Sequence, residues 1–378
     1  FFCEHEAAAR IGDALQTMEA PRAPASERDG KEGEAAVHEP ARKEGQHVPK
    51  QERNPATETN VTTRATGKAV DTHRRMAIVG MACRFPGGCE SPSAFWNLLA
   101  RGETALGVMP ARWVWPSGID PKNRHRGIDV FGFLPRIDEF DAGFFRISPR
   151  EAELMDPQQR MLLELSWNVM EDAGWRPSEL RKRSTGVFVG ACHEDYRDIV
   201  CRYESPEPEP HRGMACASSL LANRISYFHG FTGPSLTVDT ACSSALTALH
   251  HAAIALENGE CDAALVGAVN LICSPMNSMA YYDAGMLSKS GACHAFDARA
   301  DGFVRGEGAA MILLKSLEQA LDDGDSIYAL VAGTAVNHGG QASSLTAPRP
   351  DAQAGVIRRA WDKSGISGAT VQYVETHG

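Results

Sequence analysis

The sequence predicts an α/β protein with mostly parallel strands covered on both faces. Three observations carry this. Short, continuously apolar runs recur along the chain, and between them lie longer segments with apolar residues at helical spacing. No stretch approaches the 18 apolar residues needed to cross a membrane. Continuous rather than alternating apolar strands are those of a sheet buried on both sides.

Order begins abruptly at the strand pattern Met76–Cys83, which closes on the turn residues Pro86-Gly87-Gly88. Helical signals follow at Ser93–Arg101 and Asp156–Gly174; the second carries Met161, Leu162, Leu165, Val169 and Met170 on one face and stops at Gly174. Gly186–Gly190 and Leu236–Val238 read as strands, Ser243–Glu257 as a helix, and Ala263–Val269 and Ala309–Lys315 as strands. Then come a strand at Ile327–Val336, a helix at Asp351–Ser364 and a strand at Val371–Thr376. The acidic, proline-rich stretch Glu204–His211 reads as a solvated loop.

Residues 1–75 differ in kind. From about Pro21 the composition turns to Glu, Lys, Arg, Ala, Pro and Thr, which cannot bury enough surface to offset the entropy of ordering. This is expected to be a disordered linker, led by a short helix at Ala7–Met18 that could dock a partner. A plain tether is the simpler reading. The chain starts without methionine and ends on an apolar strand pattern, so a fragment is expected.

A net charge of −10 argues against nonspecific nucleic-acid binding, which needs clustered Lys and Arg. The ten cysteines form no Cys-x-x-Cys pair and no zinc-like Cys/His spacing. Most lie in apolar runs as small hydrophobes, which suits a reducing compartment such as the cytoplasm or an organelle stroma.

The chemical centre is Gly233–Ala252. A short strand turns through Asp239-Thr240-Ala241 and is read as entering a helix at Cys242, with Leu246, Leu249, Ala253 and Leu256 facing inward. Unpaired N–H groups and the positive dipole end of a helix favour thiolate over thiol at such a position. Small neighbours at Ala241, Ser243, Ser244 and Ala245 leave room for a thioester. On this local pattern alone, a buried structural cysteine fits equally well.

Longer segments resemble the ketosynthase domain of modular, type I polyketide synthases. They are Ile78-Val-Gly-Met-Ala-Cys-Arg-Phe-Pro-Gly87, Phe140-Asp-Ala-Gly-Phe-Phe145, Met155-Asp-Pro-Gln-Gln-Arg160, Leu221-Ala-Asn-Arg-Ile-Ser-Tyr227 and Val238-Asp-Thr-Ala-Cys-Ser-Ser244. Phe296–Gly308, Leu345-Thr-Ala-Pro348 and Glu375-Thr-His-Gly378 complete the series, so the resemblance runs from about residue 76 to the end. Fatty-acid ketosynthases are similar, but the Arg-Phe-Pro-Gly and Asp-Pro-Gln-Gln-Arg segments favour the polyketide type.

The resemblance implies a thiolase-like fold of stacked α-β-α-β-α layers in two similar halves, one spanning about 76–320 and the other beginning at about 321–378. It implies a homodimer that meets an acyl carrier protein, and it allows for neighbouring synthase domains. Cys242 would take an acyl chain from phosphopantetheine and condense it with a malonyl-type extender, with no metal or redox cofactor. His377 would hydrogen-bond the extender carbonyl and stabilise the enolate. Glu307 matches a buried acid that supports the floor of the site. The second half is incomplete: the threonines after Gly378, a second histidine and a Gly-rich loop are missing, so this fragment is expected to bind or condense poorly, if at all, and to expose apolar surface. A silent scaffold that binds carrier protein is an alternative, against which retention of Cys242 speaks. Thiolases and Cys-based acyl hydrolases are a third reading, but thiolases lack the Arg-Phe-Pro-Gly and Asp-Pro-Gln-Gln-Arg segments. His338 reads as a loop residue, and His250 and His251 as one packed and one solvent-facing side chain.

Overall fold

The computed structural model describes residues 75–109, 111–113, 130–202, 211–344 and 347–377. The expected linker, its helix at 7–18 and most of the 204–211 loop lie outside them. Among the described residues the strands are β1 (Met76–Arg84), β2 (Gly107–Val108), β3 (Val130–Phe131), β4 (Thr185–Gly190), β5 (Ser235–Val238), β6 (Ala263–Asn270), β7 (Gly308–Ser316) and β8 (Ala329–Val331). The helices are α1 (Pro92–Ala100), α2 (Pro149–Leu154), α3 (Pro157–Asp172), α4 (Pro177–Leu180), α5 (Asp195–Arg202) and α6 (Arg212–Ala215). They continue with α7 (Leu220–His229), α8 (Ser244–Glu257), α9 (Met276–Asp283), α10 (Leu317–Asp322) and α11 (Pro350–Ser364).

Six strands form one sheet in the order β5-β4-β6-β7-β1-β8, and β2 and β3 pair separately. Side chains alternate between the two faces, as the pleat requires. Ala77, Val79, Leu265, Met311 and Leu313 join the core around α3 and α7. Met76, Ala264, Val266 and Leu314 join the one around α8. Each face therefore has a helical cover, which explains the unbroken apolar runs. Gly80 lets α3 come close: a Cβ there would lie 2.6 Å from the Val169 carbonyl oxygen.

Strand direction departs from the expectation. Only β4–β5 and β4–β6 are parallel; β6–β7, β7–β1 and β1–β8 are antiparallel. Continuous apolar character reports burial on both faces, and an antiparallel pair with helices on both sides produces it equally well. The expected strand at Ile327–Val336 shrinks to Ala329–Val331, and Val371–Thr376 forms no strand. A single large sheet is present among the described residues, so only the first α-β-α layers of the expected stack appear there. Apolar side chains do stand at the surface, including Leu330, Trp361 and Val374.

The long helix α3 starts where Asp156 accepts the Gln158 N–H at 2.8 Å and Pro157 fills the first position. Behind β7, Lys315 is fully buried and pairs with Asp323 and Asp325, its ammonium 4.3 Å from the Trp175 ring. A buried ammonium would be costly alone; two carboxylates and a ring face offset that cost and fix α10 to the sheet edge.

Candidate functional site

The parallel strands β5, β4 and β6 all end at one edge of the sheet, with Val238 and Ala268 both opposite Gly190. The chain running into β7 arrives at the same edge, since Asn270 pairs with Gly308. Loops leaving this edge carry the candidate residues, as in other α/β sheets where the crevice lies beyond the carboxyl ends of the strands.

Past β5, the chain makes a tight elbow. Ala241 has φ 55°, a left-handed conformation that costs a non-glycine residue about 1 kcal/mol. The motif's own side chains hold it there. Asp239 Oδ1 accepts the Ala241 N–H at 2.9 Å, and Ser244 Oγ accepts the Thr240 N–H at 2.9 Å while donating to the Ala241 carbonyl at 2.6 Å. Ser243 Oγ donates to the Thr240 carbonyl at 2.8 Å. Ser243 and Ser244 thus do more than leave room; they brace the turn.

Cys242 sits on the crest of this elbow and is exposed, whereas Cys83, Cys89, Cys216, Cys261 and Cys273 are buried. It precedes the N-cap Ser243 and so stands just outside α8, not in its first turn as expected. Leu246, expected inside, is 72% exposed, while Ala253 and Leu256 are buried. The start of α8 rests on the end of β4: a Cβ at Gly190 would lie 2.5 Å from the Ser244 carbonyl carbon.

Glu307 is completely enclosed. Its carboxylate accepts Arg112 Nη2 at 2.5 Å on both oxygens, the Leu134 N–H at 2.7 Å and the Ile272 N–H at 2.8 Å. It ties three separate segments together beneath the crevice. His377 is exposed, on a segment without regular structure. His338 is exposed too, and its Nδ1 accepts the Gly340 N–H at 2.8 Å within the loop. His250 is buried and bonds Thr334 Oγ1 at 2.7 Å, while His251 is exposed.

A second polar group lies beside Cys242 that sequence reasoning missed. Beyond β4, Cys192 Sγ is 3.0 Å from His193 Nδ1, and His193 Nε2 is 3.0 Å from the Tyr281 hydroxyl on α9. Arg305 is buried over the Tyr281 ring at 5.2 Å and donates to Ser278 Oγ at 2.6 Å. Burial, with Asp239 and Cys242 adding to it, pushes the Cys192 thiol up to about 11. Burial and then Arg305 hold His193 below its ordinary value. Burial also raises Tyr281, with Cys192 and Cys242 acting in the same direction against Arg305. The one signal in the sequence was position: Cys192-His193 comes within three residues of the end of β4, as Cys242 comes within four of the end of β5.

A separate open cavity of about 450 Å³ lies between α5 and residues 212–219, lined by Arg197, Cys201, Arg212 and Ser218 among others. It does not include Cys242, which stands at the strand-end edge with the Cys192–His193–Tyr281 group. Among the described residues there is no cluster of metal-ligating side chains, and no helix is long and apolar enough to cross a membrane.

The beta-ketoacyl synthase N-terminal domain matches residues 73–320, and the C-terminal domain of the same family matches 328–378. A polyketide synthase of Burkholderia thailandensis, ThaG, is 48% identical over 310 residues, 81% of this chain and 6% of that protein. The polyketide synthase PksM of Bacillus subtilis is 44% identical over 314 residues, 80% of this chain and 7% of that protein. The chain therefore spans a small part of the curated relatives it matches. An oxazolomycin ketosynthase domain of Streptomyces albus superposes with a TM-score of 0.72 at 36% identity, covering 80% of this chain and 53% of that one. The ketosynthase from module 6 of the bacillaene synthase of Bacillus subtilis gives 0.68 at 37% identity, covering 77% and 49%.

Proposed function

The chain belongs to the β-ketoacyl synthase family, and from that premise we propose that it carries the acyl-accepting part of a polyketide ketosynthase. The observation that carries this reading is the exposed Cys242 on a braced elbow at the ends of parallel strands. The Cys242 thiolate attacks the carbonyl of an acyl thioester, the pantetheine thiol leaves with a proton, and the chain remains on Cys242 as a new thioester. The backbone N–H of Cys242 is the donor at hand for the oxyanion formed on the way.

Condensation follows when a malonyl-type thioester loses carbon dioxide and its enolate carbon attacks the acyl carbon, freeing Cys242 and giving a β-ketoacyl thioester. In this step the role of His377 is to donate an imidazole N–H to the extender's thioester carbonyl and hold the enolate. Glu307 supports the floor through its four accepted bonds and touches no reactant. Both acyl groups arrive on the phosphopantetheine of an acyl carrier protein, so the domain itself holds no cofactor. The working form is a homodimer in a reducing, cytoplasm-like compartment, beside further synthase domains. A silent scaffold would have no need of an exposed nucleophile.

Incubating the chain with acyl-pantetheine thioesters and reading intact mass tests the proposal. One acyl group should appear, map to Cys242, and vanish in Cys242→Ala, with melting unchanged because the side chain is exposed. Acylation that survives Cys242→Ala would overturn it.

A further inference from the structure

Outside the elbow, the same edge of the sheet holds a chain of hydrogen bonds through Cys192, His193 and Tyr281. Burial pushes the Cys192 thiol up to about 11, and its Sγ lies 3.0 Å from His193 Nδ1, where a protonated thiol is placed to donate. With Nδ1 accepting, the neutral ring carries its proton on Nε2 and donates to the Tyr281 oxygen at 3.0 Å. Tyr281 then keeps its own O–H to give away. Arg305, stacked over the ring and bonded to Ser278, fixes where that hydroxyl stands.

A further polar atom waits nearby. Arg305 is 5% exposed, and its Nη2 has no hydrogen-bond partner among the described residues. A buried polar atom of this kind asks for an explanation, and a polar ligand supplies one. Asn270 at the end of β6 lies against His193, and a side-chain hydrogen bond between them holds back part of the fall in the ring's basicity.

β4 and β5 are neighbouring strands, about 4.8 Å apart, so the His193 loop stands one strand spacing from the elbow. Cys242 is close enough for its charge to act on both Cys192 and Tyr281. An acyl chain fixed to Cys242 thus passes this group within its first few carbons. We propose that the His193–Tyr281 pair is a specificity subsite in which the Tyr281 hydroxyl donates a hydrogen bond to an oxygen on the third carbon of the acyl chain. The favoured donors are 3-hydroxy- and 3-oxoacyl thioesters over fully reduced ones. This rests on Cys242 being the acyl acceptor.

The test compares Cys242 acylation rates for pantetheine thioesters of butanoate, 3-hydroxybutanoate and 3-oxobutanoate, followed by intact mass. At least one oxygenated donor should react about ten-fold faster than butanoate, the worth of one hydrogen bond. Tyr281→Phe should remove that advantage, bringing the oxygenated donor to the rate the variant shows with butanoate, and His193→Gln, which keeps a donor toward Tyr281, should retain most of it. Equal wild-type rates for all donors, or an equal fall for all donors in Tyr281→Phe, would overturn the subsite and leave the ketosynthase reading intact. Acylation by none of them would defeat both.

Discussion

Glu307→Gln is a nearly isosteric change whose cost follows from the bonds around it. The native carboxylate is acceptor-only and receives a donor on every side: Arg112 on both oxygens, Leu134 N–H on one and Ile272 N–H on the other. A glutamine amide places an NH2 in one of those positions, facing a backbone N–H and a guanidinium N–H. One buried backbone donor is then orphaned, at about 1–3 kcal/mol, and one charge-assisted bond is lost, at about 1.5–3 kcal/mol. The Arg112 side chain is 21% exposed and regains water, which keeps the total near the 3–5 kcal/mol typical of a broken buried pair. At about 2–4 °C per kcal/mol, the midpoint of thermal unfolding should fall by roughly 6–20 °C. Near-ultraviolet circular dichroism on heating would follow it. A shift below about 2 °C would mean that Glu307 does not hold the three segments together.

Gly190→Ala should slow acylation of Cys242 at least ten-fold and lower the melting temperature, because its Cβ would meet the backbone of Ser244 and Ala245 at 2.5–2.6 Å and push the start of α8 away. Unchanged acylation would refute this contact. His229, 1% exposed and bonded to Ser166 Oγ at 2.8 Å, is lowered to about 3 by burial, then by Arg181. The unfolded imidazole takes its proton near 6.5, so between about 6.5 and 3 the unfolded state binds more protons and stability falls as pH drops. Relative to His229→Gln, the wild type should lose about 2 kcal/mol between pH 6.5 and 5 in urea unfolding, and a constant difference would refute the assignment. The comparison with the variant matters because Asp156, raised to about 6 by burial, acts in the opposite sense between about 4 and 6.

What the sequence made legible was local. Runs such as Ala263–Val269 declare a strand buried on both faces, and the strand, small-residue turn and helix around Cys242 declare an elbow. Direction was not legible, because β7 is as apolar as β6 whichever way it runs between its helical covers. Val371–Thr376 has the residue types of a strand but stands exposed, and β-propensity expresses itself only where a neighbouring strand and a face to bury are supplied. The helix at Leu220–His229 spans the Leu221–Tyr227 motif, where polar Asn223, Arg224 and Ser226 interrupt the apolar spacing that would declare it.

The site divides along the same line. The bonds that brace Cys242 join residues two to four apart in the chain, so the motif contains its own geometry. Glu307 meets Arg112 and Leu134 across 195 and 173 residues, and His193 meets Tyr281 across 88. No spacing rule reaches that far; only the sheet order does, by bringing the ends of β4, β5 and β6 and the start of β7 to one edge. The elbow that presents Cys242 is therefore written locally, while the groups that stand beside it are assembled by topology. Substitutions at His193 or Tyr281 should therefore leave the elbow undisturbed, since neither side chain takes part in the bonds that hold Ala241 in its strained conformation.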